Sequence, residues 1–507
     1  MIRSRLTDLL RETARIRGED QFVTEIASKS VLSYAMFYEM VQKQSRFMKQ
    51  CGLEAQDKVG LIYKNSIEFM VGFFAVLENR AIVVPINPKL KNRELKYIIK
   101  DADLRYILTD NSEGRITESA DIISNNKSGK DAYFIEINNH TAEDVRFDNL
   151  VDGTAIILYT SGSTGRAKGV MLTHVNLLNE MINIKEAHEL TVHDKVLCVL
   201  PWFHINGLVI TMLTPLLAGH EIVIAEKFSR HNFWRWVDEY QITWFSGVPT
   251  IYSYLLSDID YVQHKSLRFA RSASSSLPVE VLKKFEERYQ VPVIESYGMT
   301  EGGSQLTTNP VPPGIRKPGA VGLPYGLRMR IVNDMGEICR EHEAGEIQFC
   351  GASISEGYYK KTEETEQTFA GGWLKTGDVG YLDEDGYLYL VGRKKELINR
   401  GGEKISPREI EEILYQYSGI KMAAAIGVPD EMYGEKVIAF CVPDPSTSLC
   451  EDEIIDFCRK YLADYKVPQK IIFYEKLPVG GNGKIQRLKL ADEFKERRGS
   501  NNEKENI

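Results

Sequence analysis

Cysteine is scarce in this sequence, and the spacings that cysteine-based sites need are missing. The 507 residues contain seven cysteines, and no two of them are separated by two residues. Zinc sites and thiol–disulfide motifs commonly use C-x-x-C pairs, so neither kind of site is expected here. An odd number of widely separated cysteines suits reduced thiols, and we therefore expect a cytoplasmic protein.

Two further absences narrow the class of protein. No stretch of 18 residues is apolar without interruption, so no transmembrane helix is expected. Residues 1–20 are charged throughout and lack the apolar core of a secretory signal. The formal net charge is −8 and no continuous basic stripe is present, which argues against a nucleic-acid partner.

What is present is enough apolar side chain for a large core and a regular alternation of elements. Hydrophobic residues make up 43% of the chain. Strand-like and helical segments alternate from the N-terminus to about residue 225, and helices are predicted over residues 31–48 and 209–217 among them. This alternation predicts an α/β fold with mostly parallel, helix-covered sheets. From about Gly319, short strands between Gly and Asp turns predict a small antiparallel region. A compact α+β ending follows Gly392.

The most distinctive segment is a loop rich in hydroxyls and glycines. Residues 155–158 are predicted to form a buried strand, and the loop follows it directly. Hydroxyls and backbone N–H groups can surround phosphate oxygens, and a lysine offsets their charge. A plain surface loop is the alternative interpretation. The candidate phosphate-binding residues are Thr160, Ser161, Gly162, Ser163, Thr164, Gly165 and Lys168.

Four shorter motifs also carry side chains suited to a nucleotide. Residues 297–301 read Tyr-Gly-Met-Thr-Glu, with a ring to stack on a base and a carboxylate for Mg²⁺. Asp378, in the run Thr-Gly-Asp, could accept hydrogen bonds from two ribose hydroxyls. Segments 392–396 and 480–484 combine glycine with lysine or arginine. Taken singly, these motifs are also compatible with ordinary turns and solvated lysines.

Together and in this order, the five motifs resemble the adenylate-forming superfamily of acyl-CoA synthetases, peptide-synthetase adenylation domains and luciferases. The resemblance covers about residues 32–490. It implies an N-terminal adenylation domain over residues 1–394, which binds ATP and the acid, and a small mobile C-terminal domain over residues 395–495. The polar residues 496–507 are predicted to form a disordered tail.

The resemblance implies a role for each residue of the nucleotide site. Tyr297 would stack on adenine, and Ser274 would belong to the loop on the other adenine face. Asp378 and Arg393 would bind the ribose. Where relatives usually carry Ala-Pro in the adenine loop, residues 275–276 read Ser-Ser, so the packing on adenine is expected to differ slightly.

Further roles concern the chemistry and the motion of the small domain. Thr300 would contact phosphate and Glu301 would hold Mg²⁺, while Lys484 would be the catalytic lysine of the first half-reaction. Lys395 corresponds to the hinge of the small domain. Gly402 belongs to the glycine pair that lines the thiol tunnel after rotation.

The acid pocket is implied by weaker matches. His204 corresponds to the aromatic or histidine gate of the pocket, with a structural core histidine as the alternative. The other residues implied to shape the pocket are Gly247, Gly298, Met299, Gly303 and Ser304.

Segments 271–277, 306–314 and 395–407 resemble oxalyl-CoA synthetases. Those enzymes usually carry Ala-Ser-His where residues 302–304 read Gly-Gly-Ser. The missing histidine removes a donor for a second carboxylate, and the two glycines are expected to leave room. We therefore expect a fatty or small aliphatic acid rather than oxalate, with an aryl acid as a third option.

These implications define the expected function. It is an ATP-dependent carboxylic acid–CoA ligase that works through an acyl-adenylate and releases pyrophosphate and then AMP. The expected ligands are ATP, Mg²⁺, CoA and a small carboxylic acid. The alternative is a stand-alone adenylation enzyme that loads an acyl carrier protein. A monomer and a homodimer both remain open.

Overall fold

Two bodies of unequal size, built on four β-sheets, make up this chain. The computed structural model describes residues 5–110, 116, 118–127, 133–138, 149–160, 167–257, 265–444, 447–479, 485–487 and 489–494. Within them the sheets have nine, eight, four and five strands. The predicted α/β class with a small C-terminal α+β unit is confirmed. The tail predicted over 496–507 lies outside the described residues.

The nine-stranded sheet has the predicted parallel centre. Its strands are β1 (Gln21–Glu25), β2 (Ser30–Ser33), β10 (Lys195–Cys198), β11 (Glu221–Ile224), β12 (Trp244–Gly247), β13 (Phe269–Ser272), β14 (Val293–Tyr297), β15 (Thr307–Thr308) and β16 (Leu323–Pro324). Neighbours from β14 through β13, β12, β10 and β11 to β1 run parallel. The edge strands β2, β15 and β16 pair antiparallel.

The eight-stranded sheet carries the base of the predicted phosphate loop. Its strands are β3 (Lys58–Ile62), β4 (Ile82–Pro85), β5 (Leu104–Thr109), β6 (Asp121–Lys127), β7 (Tyr133–Asn138), β8 (Thr154–Thr160), β9 (Lys168–Thr173) and β19 (Gly357–Tyr358). Strands β8, β4, β3 and β5 are parallel neighbours. Strand β9 returns antiparallel to β8, so Thr160 and Lys168 lie opposite each other.

The third sheet is the predicted antiparallel region, and the fourth belongs to the small domain. The third holds β17 (Arg328–Val332), β18 (Gly345–Cys350), β20 (Leu374–Leu382) and β21 (Leu388–Arg393). The fourth holds β22 (Ile398–Arg400), β23 (Glu403–Ile405), β24 (Ile420–Asp430), β25 (Gly434–Pro443) and β26 (Lys470–Phe473). Strands β20 and β21 place Asp378 opposite Arg393.

Helices cover the sheets. They are α1 (Leu6–Ile16), α2 (Tyr34–Gln50), α3 (Ile67–Glu78), α4 (Asn92–Asp101), α5 (His174–Ala187), α6 (Thr214–Ala218), α7 (Arg230–Glu239), α8 (Pro249–Leu256), α9 (Val279–Tyr289), α10 (Thr362–Thr368), α11 (Pro407–Gln416) and α12 (Glu451–Tyr461). Short 3₁₀ turns add Thr300–Gly302, Ala370–Gly372 and Asp464–Lys466. None of the helices in the described ranges is both long and apolar enough to cross a membrane.

Two helix predictions need correction. The helix predicted over residues 31–48 begins later than predicted, because its first residues belong to β2, which ends at Ser33. The Ser33 hydroxyl accepts from the Met36 amide at 3.2 Å as the N-cap of α2. The apolar helix predicted over 209–217 begins earlier, as a π-helix over Asn206–Leu213 that passes into α6. That π-helix begins two residues after His204, and such turns are frequent at functional sites.

The apolar cores divide between Leu388 and Ile398. Four clusters of buried side chains contain residues up to Leu388, and two contain residues from Ile398 onward. Tyr415 of α11 packs against a cluster on each side. Each body therefore has its own core, and α11 lies where they meet.

Candidate functional site

A cleft opens where the ends of β13 and β14 meet the third sheet and the small domain. It has a volume of about 260 Å³. Its N-terminal wall includes Tyr297, Asp378 and Arg393, and its C-terminal wall includes Ile485 and Arg487. With Ser274, four of the predicted nucleotide residues thus lie around one cavity between the two bodies.

The predicted adenine and ribose residues are in direct contact. The Tyr297 hydroxyl donates to Asp378 Oδ2 at 2.6 Å, and Arg393 Nε lies 2.9 Å from Asp378 Oδ1. Burial, reinforced by the Asp378 charge, raises the pKa of Tyr297 well above its ordinary value, so the phenol stays neutral and keeps its proton. Arg393 and Tyr297 therefore hold Asp378 in place at the cleft wall.

The adenine loop has a strained backbone at the predicted position. Ser274 has φ 76°, in the left-handed region that non-glycine residues rarely adopt. Its hydroxyl accepts from Asn206 Nδ2 at 3.0 Å, which ties the loop to the π-helix. Ser274, Ser275 and Ser276 all line the cleft. Backbone strain of this kind is common where a ligand is bound.

The turn after β14 brings the predicted phosphate and metal residues inside. Thr300 is 9% exposed and Glu301 is 8% exposed. Glu301 Oε1 accepts from the Tyr358 hydroxyl at 2.8 Å, and Lys168 Nζ lies 5.0 Å from the centre of the Tyr358 ring. A buried carboxylate beside a lysine at the phosphate-loop base fits Mg²⁺, which is usually held by one or two carboxylates and substrate phosphates.

The base of the phosphate loop is anchored from two sides. Tyr159 donates to Asp101 Oδ2 at 2.6 Å, and Tyr97 donates to the Ala167 carbonyl at 2.9 Å. These bonds fix the strand ends that flank the loop. Five predicted residues of the loop lie outside the described residues: Ser161, Gly162, Ser163, Thr164 and Gly165. The predicted catalytic residue Lys484 also lies outside them.

Of the predicted acid-pocket residues, Gly298 lines this cleft. The His204 ring is half-buried and lies 4.6 Å from the ring of Phe203, just before the π-helix. Gly247 ends β12, and a Cβ there would lie 3.1 Å from the Tyr252 ring. Met299 is half-buried and packs against the cluster that contains Tyr297.

The glycines at the pocket end do not leave open space. A Cβ on Gly302 would lie 2.5 Å from Leu306, and one on Gly303 would lie 2.7 Å from the Ser353 carbonyl. A Cβ on Gly298 would lie 1.7 Å from the Ser304 carbonyl oxygen. The expectation that the glycine pair creates room is therefore wrong, because neighbouring atoms already fill those positions.

Arg271 is a functional candidate that the motif comparison did not single out. It lies on β13 and is only 1% exposed. Its Nη1 donates to Asn206 Oδ1 at 2.9 Å and to Ser246 Oγ at 3.1 Å. Its Nε donates to Gln305 Oε1 at 3.1 Å. In the described ranges, no carboxylate forms an ion pair with this guanidinium.

The groups around Arg271 are held neutral. Burial raises the pKa of Glu180 to about 8 and lowers that of His188 to about 3. Glu180 Oε1 accepts from the backbone amide of Gln305 at 2.6 Å. His188 Nε2 lies 2.9 Å from the side-chain oxygen of Gln305, Oε1. A side-chain carbonyl oxygen can only accept hydrogen bonds, so His188 Nε2 must donate to it, as Arg271 does. Burial lowers the pKa of Arg271 only to about 10, which leaves one buried positive charge.

This charge lies beside the predicted pocket. Ser246 directly precedes Gly247, and Gln305 directly follows Ser304. In the sequence, Arg271 is visible only as a single arginine within the four-residue strand β13. The structure shows that all four residues of this strand are buried. Buried arginines without an acidic partner are rare, because desolvation of the charge is costly.

Neither the predicted hinge residue nor the predicted thiol-tunnel residue is among the residues that line the cleft. Lys395 is exposed and follows the end of β21. Gly402 has φ 95° in the turn between β22 and β23, and the Gly401 amide donates to the Tyr433 carbonyl at 2.7 Å. In this orientation the small domain presents Ile485 and Arg487 to the cleft instead of that turn.

Comparison with known proteins agrees with this geometry. The family model described as AMP-binding enzyme matches residues 10–359, and the AMP-binding enzyme C-terminal domain matches residues 409–484. The chain therefore belongs to the AMP-binding enzymes, the adenylate-forming superfamily that includes the acyl-CoA synthetases. The predicted family and the predicted ligase class are confirmed.

Curated relatives are similar over most of the chain. The oxalate–CoA ligase of Arabidopsis thaliana is 36% identical and covers 97% of this chain and 99% of its own length. The sulfoacetate–CoA ligase of Cupriavidus necator is 39% identical over 81% of this chain and 82% of its own. The long-chain-fatty-acid–CoA ligase of Bacillus subtilis is 32% identical over 89% of this chain and 88% of its own.

Solved structures share the fold. ATP-bound MatB from Rhodopseudomonas palustris superimposes with a TM-score of 0.85 at 27% identity, over 97% of this chain and 99% of its own. The o-succinylbenzoate CoA synthetase of Bacillus subtilis, in complex with its acyl-adenylate intermediate, gives 0.82 at 27% identity, over 95% of this chain and 97% of its own.

Proposed function

We propose that this protein is an ATP-dependent carboxylic acid–CoA ligase that forms an acyl-adenylate and releases pyrophosphate, then AMP. The observation that carries the proposal is the contact between Tyr297, Asp378 and Arg393 at the wall of the interdomain cleft. A ring, a carboxylate and a guanidinium at this spacing suit a base and a ribose.

The first half-reaction joins two anions. The acid's carboxylate attacks the α-phosphorus of ATP, and the bond to the bridging oxygen of pyrophosphate breaks. Cationic groups must lower the repulsion and align the reactants. Lys168 and Lys484 are the proposed protein cations, and Thr300 is the proposed phosphate contact. Mg²⁺ bound at Glu301 would neutralise phosphate charge.

The second half-reaction replaces AMP by a thiol. The thiol attacks the acyl carbon and AMP leaves with the bonding electrons. We propose that the small domain turns about Lys395, so that Gly402 comes to the tunnel through which the thiol enters. CoA is the proposed acceptor, since the full-length relatives are named as CoA ligases. The phosphopantetheine of a carrier protein presents the same thiol and is the alternative.

The acid is the least constrained part of the proposal, and Arg271 supports a short acid with a second anionic group. Within the described residues its hydrogen bonds go to neutral oxygens, so a ligand anion would complete the site. The filled space beside Gly302 and Gly303 gives no support to a long aliphatic chain at this end. Two similar ligases are named for oxalate and sulfoacetate, both of which carry two acidic groups.

The test is pyrophosphate release across a panel of acids, measured with and without CoA. The panel contains oxalate, malonate, sulfoacetate, short to long fatty acids and benzoate. We expect release with one of the first three acids, an increase on adding CoA, and an acyl-CoA product. Release that CoA does not accelerate would favour the carrier-protein alternative. Turnover of fatty acids alone would contradict the role given to Arg271.

A further inference from the structure

Helix α9 of the large domain receives its N-terminal cap from the small domain. The α9 N-cap residue is Pro278, which makes no side-chain capping bond. Instead, Glu412 Oε2 in α11 accepts from the Val279 backbone amide at 3.1 Å. A carboxylate at this position satisfies a free amide and interacts favourably with the positive end of the helix dipole.

Arg408 joins the same contact one helical turn earlier. Its guanidinium donates to the carbonyls of Leu390 at 3.2 Å and Gly319 at 3.1 Å, both in the large domain. Its Nε lies 3.8 Å from Glu412 Oε1. The side chains of Arg408 and Glu412 are only 14% and 23% exposed, so water screens this contact less than it screens a surface ion pair.

The neighbouring acids of α11 make contacts inside the small domain. Glu409 binds Lys466 Nζ at 2.7 Å, and Glu411 accepts two bonds from Arg487 at 2.8 and 2.9 Å. Among the described residues, one other ion pair crosses the boundary, between Lys404 and Asp334 at 3.5 Å, but its side chains are 61% and 70% exposed. Such exposed pairs contribute little. Glu412 and Arg408 therefore provide a shielded polar contact between the domains, beside the hydrogen bond that the Ser406 hydroxyl donates to the Val391 carbonyl.

The orientation held by this contact matches the first half-reaction. Ile485 and Arg487 flank Lys484 in the sequence and line the cleft beside Tyr297 and Asp378. The turn at Gly402, between β22 and β23, does not line the cleft. Because Val279 and Glu412 belong to different bodies, a rotation that brings that turn to the cleft must break their bond.

We infer that Glu412 is a positioning residue that stabilises the adenylation orientation by capping α9 across the domain boundary, and so sets the balance between the two half-reactions. The inference rests on the proposed two-step function. Removing the cap destabilises the adenylation orientation by the amount that a helix cap normally contributes. We therefore expect the population of this orientation, relative to that of the rotated orientation, to fall about fivefold.

The test compares Glu412→Ala with Glu409→Ala, a matched change on the same helix that removes an ion pair within the small domain. The first readout is hydrogen exchange of the Val279 amide in the full-length protein without ligands. We expect faster exchange in Glu412→Ala only. This readout needs no enzymatic activity, so it stands even if the proposed function fails.

The second readout separates the half-reactions, using the acid of the panel that the unchanged enzyme adenylates fastest. ATP–pyrophosphate exchange should fall about fivefold in Glu412→Ala, while CoA thioester formation from the supplied acyl-adenylate should be unchanged or faster. Glu412→Gln keeps an acceptor oxygen and should recover most of the exchange rate. Equal loss in both half-reactions, no rescue by glutamine, or identical behaviour of the Glu409 variant would overturn the inference.

Discussion

On the nucleotide side of the site, Arg393 lies 2.9 Å from the Asp378 carboxylate. On the proposed acid side, the hydrogen bonds of Arg271 within the described residues go to Asn206, Ser246 and Gln305. The first guanidinium is neutralised by Asp378, whereas no carboxylate of the described residues forms an ion pair with the second, and burial raises the pKa of the neighbouring Glu180 to about 8. A paired charge can position a ligand through hydrogen bonds, while an unpaired buried charge selects a ligand that brings the opposite charge.

The comparison separates the two sides by what each should recognise. The proposed nucleotide side should serve ATP whichever acid is used, because its contacts are complete without the acid. The acid side should discriminate between acids by charge. Variants on the two sides are therefore expected to differ in whether their effect depends on the acid.

Lys484→Ala tests the proposed cation of the first half-reaction, and the largest effect is expected from this substitution. Loss of the proposed cation should lower adenylation about a hundredfold or more, because charge builds up at the α-phosphate in the transition state. Thioester formation from a supplied acyl-adenylate should persist. Lys489→Ala, five residues later, is the control. Equal damage to both half-reactions would remove Lys484 from its proposed role.

Arg271→Leu should break the acid side. We expect kcat/KM for a doubly anionic acid such as malonate or sulfoacetate to fall about a hundredfold, the usual size for losing one partner of a buried charge pair. The KM for ATP should stay close to that of the unchanged enzyme. Arg271→Lys keeps the charge and should recover part of the activity. A similar loss for singly charged acids would show a structural role instead.

Tyr297→Phe should weaken the nucleotide side by a smaller amount. The ring for stacking remains, but Asp378 loses a hydrogen bond whose net contribution is about 1 kcal/mol. We expect the KM for ATP to rise about fivefold, by the same factor for every acid that is turned over. Steady-state kinetics with two different acids measures this. A factor that depends on the acid would contradict the separation of the two sides.

Glu180→Gln should produce the smallest effect on activity near neutral pH, and its main effect is expected in the pH dependence of stability. Burial raises the pKa of Glu180 from 4.5 to about 8 in the folded protein. A carboxyl group whose pKa is raised on folding contributes stability below its unfolded pKa, and this contribution is lost as the pH rises through its folded pKa. The free energy of unfolding should therefore fall less between pH 5 and about 8 in Glu180→Gln, as measured by urea unfolding.

The same substitution gives information on the charge beside it. Ionised Glu180 would compete with a ligand anion for Arg271, so the unchanged enzyme should lose activity on doubly anionic acids above about pH 8. Glu180→Gln should keep that activity to higher pH. Identical pH profiles would show that Glu180 remains protonated or does not act on the acid.

The contiguous motifs were the part of the site that could be predicted. Residues 297–301 form one strand end and one turn, so the spacing in the chain sets their spacing in the cleft. Asp378 and Arg393 are 15 residues apart, yet their antiparallel strands bring them face to face. The prediction of both residues depended on the family resemblance, since strand register is not visible in either motif alone.

The acid side could not be predicted in this way. Arg271 meets Gln305, Asn206 and Ser246, which come from separate segments of the chain. Nothing local to Arg271 shows which oxygens surround it or that an acidic partner is missing. The glycines at 302 and 303 were misinterpreted for the same reason, because Leu306 and Ser353 fill the space that the sequence leaves blank.

By itself, the sequence determined the α/β class, the family, and the nucleotide motifs that lie on single strands and turns. These properties follow from short-range periodicity and from contiguous residues. Only the tertiary structure decided that Arg271 is buried without a counter-charge and that Glu412 caps a helix of the other domain. The physical reason is that burial and charge balance depend on atoms distant along the chain, which packing alone brings together.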